Sequence, residues 1–294
     1  MYLTFFWVSA FYGILSGYVS ARLYKFFNGT AWLISFYINA ALIPLSVSVM
    51  LLIIDCLNWY EKLTVEKAFR IFGDDLKGAD FSDPRTAGKF YSSISLPQSD
   101  ATFMYAFWLI INIPSVAFGT YRGYKADKIA VPVRTSRIER EIPKTSEIPC
   151  HAQTWFTLTA GSLLTSLCVI SELFYLMASI WRHSYYFMFG YLGVSLLIMM
   201  FVVTQVSKVQ TYWTLNSGNY QWQWKSFLIG FMVGLQLFLL LSWFNFFKEE
   251  HHSYLVWLTY SMEAMLGCLF VGLMAGSIAF AGSWAFVQDI YTEA

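Results

Sequence analysis

Charge is scarce in this sequence. Lys, Arg, Asp and Glu make up 13% of its 294 residues, about half the share a soluble domain carries, so a water-facing exterior cannot be built from it. A formal net charge of +1 gives no electrostatic pull toward nucleic acid, which is excluded as a partner. Cysteine is equally thin: Cys56, Cys150, Cys168 and Cys268 form no CxxC pair, so neither a zinc site nor a redox motif is read from them. His251 and His252 follow Glu249 and Glu250, but adjacent side chains rarely converge on one ion, and the reading is a solvated loop. HExxH, GxSxG, GxxxxGK[ST] and a usable GxGxxG are all missing. The expectation is a protein that is not an enzyme and holds no metal and no cofactor. The first 21 residues lack a basic n-region and a small-residue cleavage site, which sets aside a secretory signal in favour of a spanning helix.

What the chain has instead is apolar length, with 57% hydrophobic and 20% aromatic residues. A hydrocarbon core of about 30 Å, crossed at about 1.5 Å per residue, requires roughly 20 apolar residues per helix. Seven stretches qualify: 1–21, 31–54, 101–121, 154–181, 184–207, 226–247 and 254–288. Backbone groups in lipid have no water to bond, so runs this long must be helical. The fold class expected is therefore all-α, a polytopic transmembrane helix bundle of about seven spans forming one membrane domain over 1–294. Pro44 and Pro114 fall inside the second and third spans and favour kinks, which membrane helices tolerate. Trp32, Trp59, Trp108, Trp155, Trp181, Trp224 and Trp284 lie near span ends, where amphipathic rings favour the headgroup region.

Orientation follows from the basic residues of the connections. Connections after the odd spans carry eleven of the 19 Lys and Arg, against eight after the even ones. By the positive-inside rule the odd connections and the C-terminus are cytosolic and the N-terminus is lumenal. The long connection 55–100 is then lumenal, and its 61–72 segment is read either as a surface-lying helix or as a solvated loop. The basic connection 122–153 is cytosolic. Its Arg134, Arg137, Arg140 and Lys144, between Pro132 and Pro149, form an extended segment suited to anionic headgroups or an acidic partner, with plain topology charge as the simpler reading. Asn28-Gly29-Thr30 has the form of a glycosylation acceptor on the side predicted to be cytosolic, so a glycan there would reverse the orientation.

Three groups inside or beside the spans are candidate sites. Glu172 and Glu263 are intramembrane acids, and such groups relay protons, hold cations or bond a polar neighbour, unless they snorkel to the interface. Gly267, Gly272, Gly276 and Gly282 give the last span a face nearly free of bulk, and the Gly272/Gly276 spacing lets two helix backbones approach closely. The face is read as a packing surface within the bundle or as a groove for a helix of another membrane protein. Trp222, Trp224 and Lys225 read as an interfacial anchor before the sixth span.

Four ordered blocks, GYVSARLYK (17–25), PVRTSRIEREIP (132–143), SIWRHSYYFMFGYL (179–192) and NYQWQWKSF (219–227), resemble the nonaspanins, the transmembrane nine superfamily. The resemblance covers most of the chain outside 55–100. It implies a multi-pass protein of Golgi or endosomal membranes that assists the trafficking and surface delivery of other membrane proteins. Its partners are then the lipid bilayer and transmembrane clients, with the small-residue face around Gly272 and Gly276 accepting a glycine-rich helix. It also implies that the seven spans correspond to the family's last seven, without its large lumenal domain and first two helices. The closing VQDIYTEA departs from the family's lysine-containing retention signal. The alternative class is a solute or ion transporter using Glu172 and Glu263.

Overall fold

The computed structural model describes residues 2–29, 31–42, 45, 48–54, 56–57, 60, 98–129, 141, 153–181, 185–248 and 254–293. Among these the backbone is helical almost throughout and contains no strand, the form that lipid imposes on an apolar chain. The helices are α1 (Tyr2–Phe26), α2 (Trp32–Tyr37), α3 (Gln98–Lys125), α4 (Thr154–Trp181), α5 (Tyr185–Asn216), α6 (Trp222–Lys248) and α7 (Tyr254–Glu293), with a π turn at Ile38–Leu42 directly after α2.

Among the described residues, four helices are long and apolar enough to cross a membrane. Their qualifying segments are Thr154–Tyr175 in α4, Phe189–Asn216 in α5, Trp222–Trp243 in α6 and Ser261–Thr292 in α7. The other three expected spans do not meet that measure. Two of them nevertheless fall on unbroken helices of 25 and 28 residues, α1 and α3. The second does not, because the backbone leaves α-helical geometry at Ile38–Leu42. That turn lies just before Pro44, which is outside the described residues. A proline ring clashes with the carbonyl four residues back in a regular helix, and a π turn is one of the few ways to relieve such a conflict. Pro114 leaves α3 continuous.

The four spans are built inside out relative to a soluble bundle. Only 17–33% of each qualifying window is buried, and large apolar side chains such as Leu163, Leu197, Phe201 and Leu239 face outward. Ser162, Thr165, Ser207, Thr211, Ser226 and Ser283 are buried. With lipid as apolar as leucine, large side chains gain little by turning inward, and small polar residues that let helices approach share the interior with the apolar core.

The chain divides into two compact units, residues 1–130 with 253–259 and residues 131–252 with 260–294. In the first, α1 lies along α3, and α2 with its π turn joins them through Ser16, whose hydroxyl donates to Asn39 Oδ1 at 2.9 Å, and through the Ser20–Ser35 hydroxyl pair at 3.2 Å. In the second, α4, α5, α6 and residues from 260 onward of α7 enclose a core of Leu158, Val169, Met199, Val203, Ile229, Val233, Leu237, Cys268, Ala275 and Ala279.

Helix ends explain where the sequence reading and the structure part. α4 spans the expected 154–181, but α5 runs to Asn216 where 207 was expected. Past Lys208 the outward residues are Val209, Tyr212 and Trp213, while Ser207, Gln210, Thr211 and Thr214 turn inward. A hydropathy reading takes those polar residues as an end; their three- and four-residue spacing places them on one buried helix face. The helix stops at Gly218, whose φ of +77° suits glycine. There Asn219 N–H donates to Thr214 O at 3.1 Å, closing the last turn. α1 ends the same way, with Asn28 at φ +57° and Gly29 N–H donating to Tyr24 O at 3.0 Å.

Candidate functional site

The small-residue face of α7 is occupied from within the chain. A Cβ on Gly272 would lie 3.0 Å from Phe231 O and 3.3 Å from Gly234 Cα, and one on Gly276 would lie 3.0 Å from Phe227 O. Reciprocally, a Cβ on Gly230 would run into the backbone of Ala275 and Gly276, and one on Gly234 into Cys268 O and, at 2.6 Å, Gly272 Cα. Two pairs of glycines four residues apart, one on each helix, thus bring the α6 and α7 backbones together. Gly282 meets Thr204 of α5 at 2.6 Å from its would-be Cβ, and Gly267 faces open space. The first unit repeats the device. Gly13 and Gly17 of α1 meet Ser115, Val116 and Thr120, while Gly119 and Gly123 of α3 meet Ile14, Tyr18 and Ala21.

Polar side chains tie α6 and α5 to α4, and α5 to α7, at fixed levels. Gln236 of α6 accepts from the Ser166 hydroxyl at 2.6 Å and donates to the Ser162 hydroxyl at 2.9 Å, both on α4. Gln210 of α5 donates to Thr157 Oγ1 at 2.9 Å, and Ser207 donates to Ala279 O of α7 at 2.9 Å. Replacing Gln236 by leucine is expected to lower stability by about 1 kcal/mol, the typical worth of an interhelical hydrogen bond in a membrane. The check is the thermal midpoint of the detergent-solubilised protein, with Leu235→Ala on the exposed side as the comparison.

The basic end of α1 grips the end of α3. Lys25 Nζ donates to Tyr124 O at 3.1 Å and to Ala126 O at 2.7 Å, and Arg22 donates through Nη2 to Asp127 O at 3.3 Å. These carbonyls belong to the last turn of α3 and the residues just beyond it, where the helix leaves acceptors unmet and its dipole is negative. Lys128 Nζ returns the contact by donating to Asn28 Oδ1 at 2.9 Å.

The remaining expected site residues divide. Trp222 is buried, stacked on Phe280 at 6.1 Å and tilted against Trp284 at 6.2 Å, so it packs α6 on α7 instead of meeting headgroups. Trp224 is 75% exposed, with Lys225 half-buried beside it. Glu172 and Glu263 are both half-buried. Arg134, Arg137, Arg140, Lys144, the 61–72 segment and His251–His252 lie outside the described residues. Sequence reading overlooked Gly13, Gly17, Gly119, Gly123, Gly230 and Gly234. Their four-residue spacing was visible, but which helix each pair faces was not.

The Endomembrane protein 70 family profile matches residues 1–72 and 89–254. The chain belongs to that family. Transmembrane 9 superfamily member 9 of Arabidopsis thaliana is 28% identical over 287 residues, taking in 98% of this chain and 39% of the relative. Transmembrane 9 superfamily member 2 of Homo sapiens is 27% identical over 280 residues, 95% of this chain and 37% of the relative. A Schizosaccharomyces pombe relative, Transmembrane 9 superfamily protein C1105.08, is 26% identical over 281 residues, 96% and 40% respectively. The chain spans about two fifths of the length of these curated relatives. No solved structure matches it. For an Endomembrane protein 70 chain, two of the blocks that carried the resemblance now have physical roles. GYVSARLYK supplies Gly17, Ala21, Arg22 and Lys25 to the α1–α3 seam. NYQWQWKSF supplies Asn219, whose Oδ1 accepts from Gln221 N–H at 2.9 Å at the start of α6, and the Trp222 stack.

Proposed function

We propose that this chain assists the sorting and surface delivery of other membrane proteins, as a non-enzymatic multi-pass protein of Golgi or endosomal membrane with its N-terminus lumenal and its C-terminus cytosolic. Membership of the Endomembrane protein 70 family, by a match that takes in most of the chain, carries the reading. The packing narrows how clients are met. The Gly272–Gly276 face is filled by α6, so a client helix meets an outer flank of the helices, where apolar side chains face lipid.

The test is removal of the gene in its own cells, followed by surface labelling and quantitative proteomics of membrane proteins, with the full chain restored from a plasmid. A defined set of transmembrane proteins is expected to fall several-fold at the surface and to recover on re-expression. An unchanged surface population, with the tagged chain outside Golgi and endosomal fractions, would reject the proposal.

A further inference from the structure

The two intramembrane acids are not equivalent. Glu263 takes part in an interaction within the chain, whereas among the described residues Glu172 has no hydrogen-bond or ion-pair partner although it is half-buried inside the Thr154–Tyr175 span. A carboxyl in that setting is costly and is normally matched by a partner.

Its position on α4 is well defined. Thr157, Gly161 and Tyr175 of α4 meet Gln210, Val206 and Tyr191 of α5, so the two helices run antiparallel. Glu172 is three residues before Tyr175 and falls on the same side of α4. Interpolating between those pairs puts Ser195 at its level on α5. Ser195 is buried and donates its hydroxyl to Leu192 O of its own helix at 2.9 Å, leaving Glu172 without a donor from α5. One turn along, Tyr175 and Tyr191 stack with centroids 5.4 Å apart and planes 17° apart, and Tyr175 is 57% exposed. Ser171 and Phe174 flank the same stretch and are exposed. A half-buried carboxyl with no hydrogen-bond or ion-pair partner among the described residues, beside partly exposed aromatic side chains, suits a guanidinium or ammonium group, for which the acid supplies the counter-charge.

We infer that Glu172, with Tyr175 and Tyr191, receives a basic residue carried by the transmembrane segment of a client protein. The inference rests on the sorting role proposed above and names the chemistry by which a client is chosen. Access is lateral, since the exposed residues around Glu172 face outward on the flank of a bilayer-crossing helix. The complementary group therefore arrives on another helix in the plane of the membrane, at the level of the 172–175 end of α4.

The experiment uses the full chain in cells lacking the endogenous gene, with single-span reporters that carry arginine, leucine or glutamate at that level of an otherwise identical apolar helix. Co-purification and surface delivery are both measured. With the unaltered chain, recovery of the arginine reporter is expected to exceed that of the leucine reporter by roughly fivefold, the size of a membrane-embedded polar pair. Glu172→Gln is expected to remove that preference, Glu172→Asp to keep part of it, and Glu172→Lys to transfer it to the glutamate reporter. The transfer separates recognition from a structural role, which charge exchange would not rescue. If Glu172→Gln leaves the arginine preference intact, or Glu172→Lys fails to favour glutamate while natural clients still depend on the chain, the Glu172 assignment falls and the sorting role stands. If no reporter and no natural client depends on the chain, both fall. Reconstituted vesicles in which Glu172→Gln abolishes a solute flux, with reporter recovery unchanged, would assign the acid to transport and overturn the inference.

Discussion

Gly230→Leu is expected to destroy the second unit: the variant should disappear from the monodisperse peak of a detergent-solubilised preparation and become sensitive to protease. The leucine Cβ has no room, because the first atoms in its way are the backbone of Ala275 and Gly276. Adding bulk to a packed interior costs about 1–3 kcal/mol when side chains can move aside. Here a whole helix must move, and α7 also holds Ser207 through Ala279 O and Ser283. Gly267→Leu is the control, since that position opens to empty space and surface substitutions usually stay within about 0.5 kcal/mol. If Gly230→Leu and Gly267→Leu behave alike, the glycine-to-glycine crossing of α6 and α7 is wrong. The same reasoning bears on clients. A Gly272→Leu, Gly276→Leu double variant is expected to lose its fold, so any loss of client binding in it reports on α6–α7 packing.

Lys25→Glu should produce the second largest effect. It withdraws the donor that serves Tyr124 O and Ala126 O and sets a negative charge beside the negative end of α3. Leaving a partly buried acceptor unmet costs about 1–3 kcal/mol, and a misplaced charge at a helix end adds about 0.3–1 kcal/mol. The expected outcome is a lowered thermal midpoint and faster hydrogen exchange in residues 120–129, with Lys25→Arg retaining most of the stability. A midpoint equal to that of the unaltered protein would show that the α1–α3 seam is held by glycine packing alone.

Run length and composition made the helical membrane class legible, and α4 was legible to its ends. The misses have one origin, which is that a hydropathy reading does not know which side of a helix faces lipid. Thr211 and Thr214 looked like a loop because they are polar, yet they are buried on α5. Trp222 looked like an interfacial anchor because it is a tryptophan near a span end, yet Phe280, some 58 positions along the chain, claims it. Gly272 and Gly276 were recognised as a close-approach surface, but the sequence held Gly230 and Gly234 in equally plain view without linking the two pairs. The distinction between Glu172 and Glu263 was invisible for the same reason: both are single acids in apolar runs, and only their surroundings differ.

The buried hydroxyls have a consequence for how the protein is made. Ser162, Thr165, Thr211 and Thr214 each donate to the carbonyl four residues earlier in their own helix. Each segment therefore leaves the translocation machinery with these protons already placed, and can wait in the bilayer as a separate, lipid-compatible rod. The order in which α4 to α7 emerge from the ribosome is then free of any need to find a polar mate at once. Only a few groups, Gln210 and Gln236 foremost, remain unanswered until the rods meet, and those two set the moment at which insertion becomes assembly.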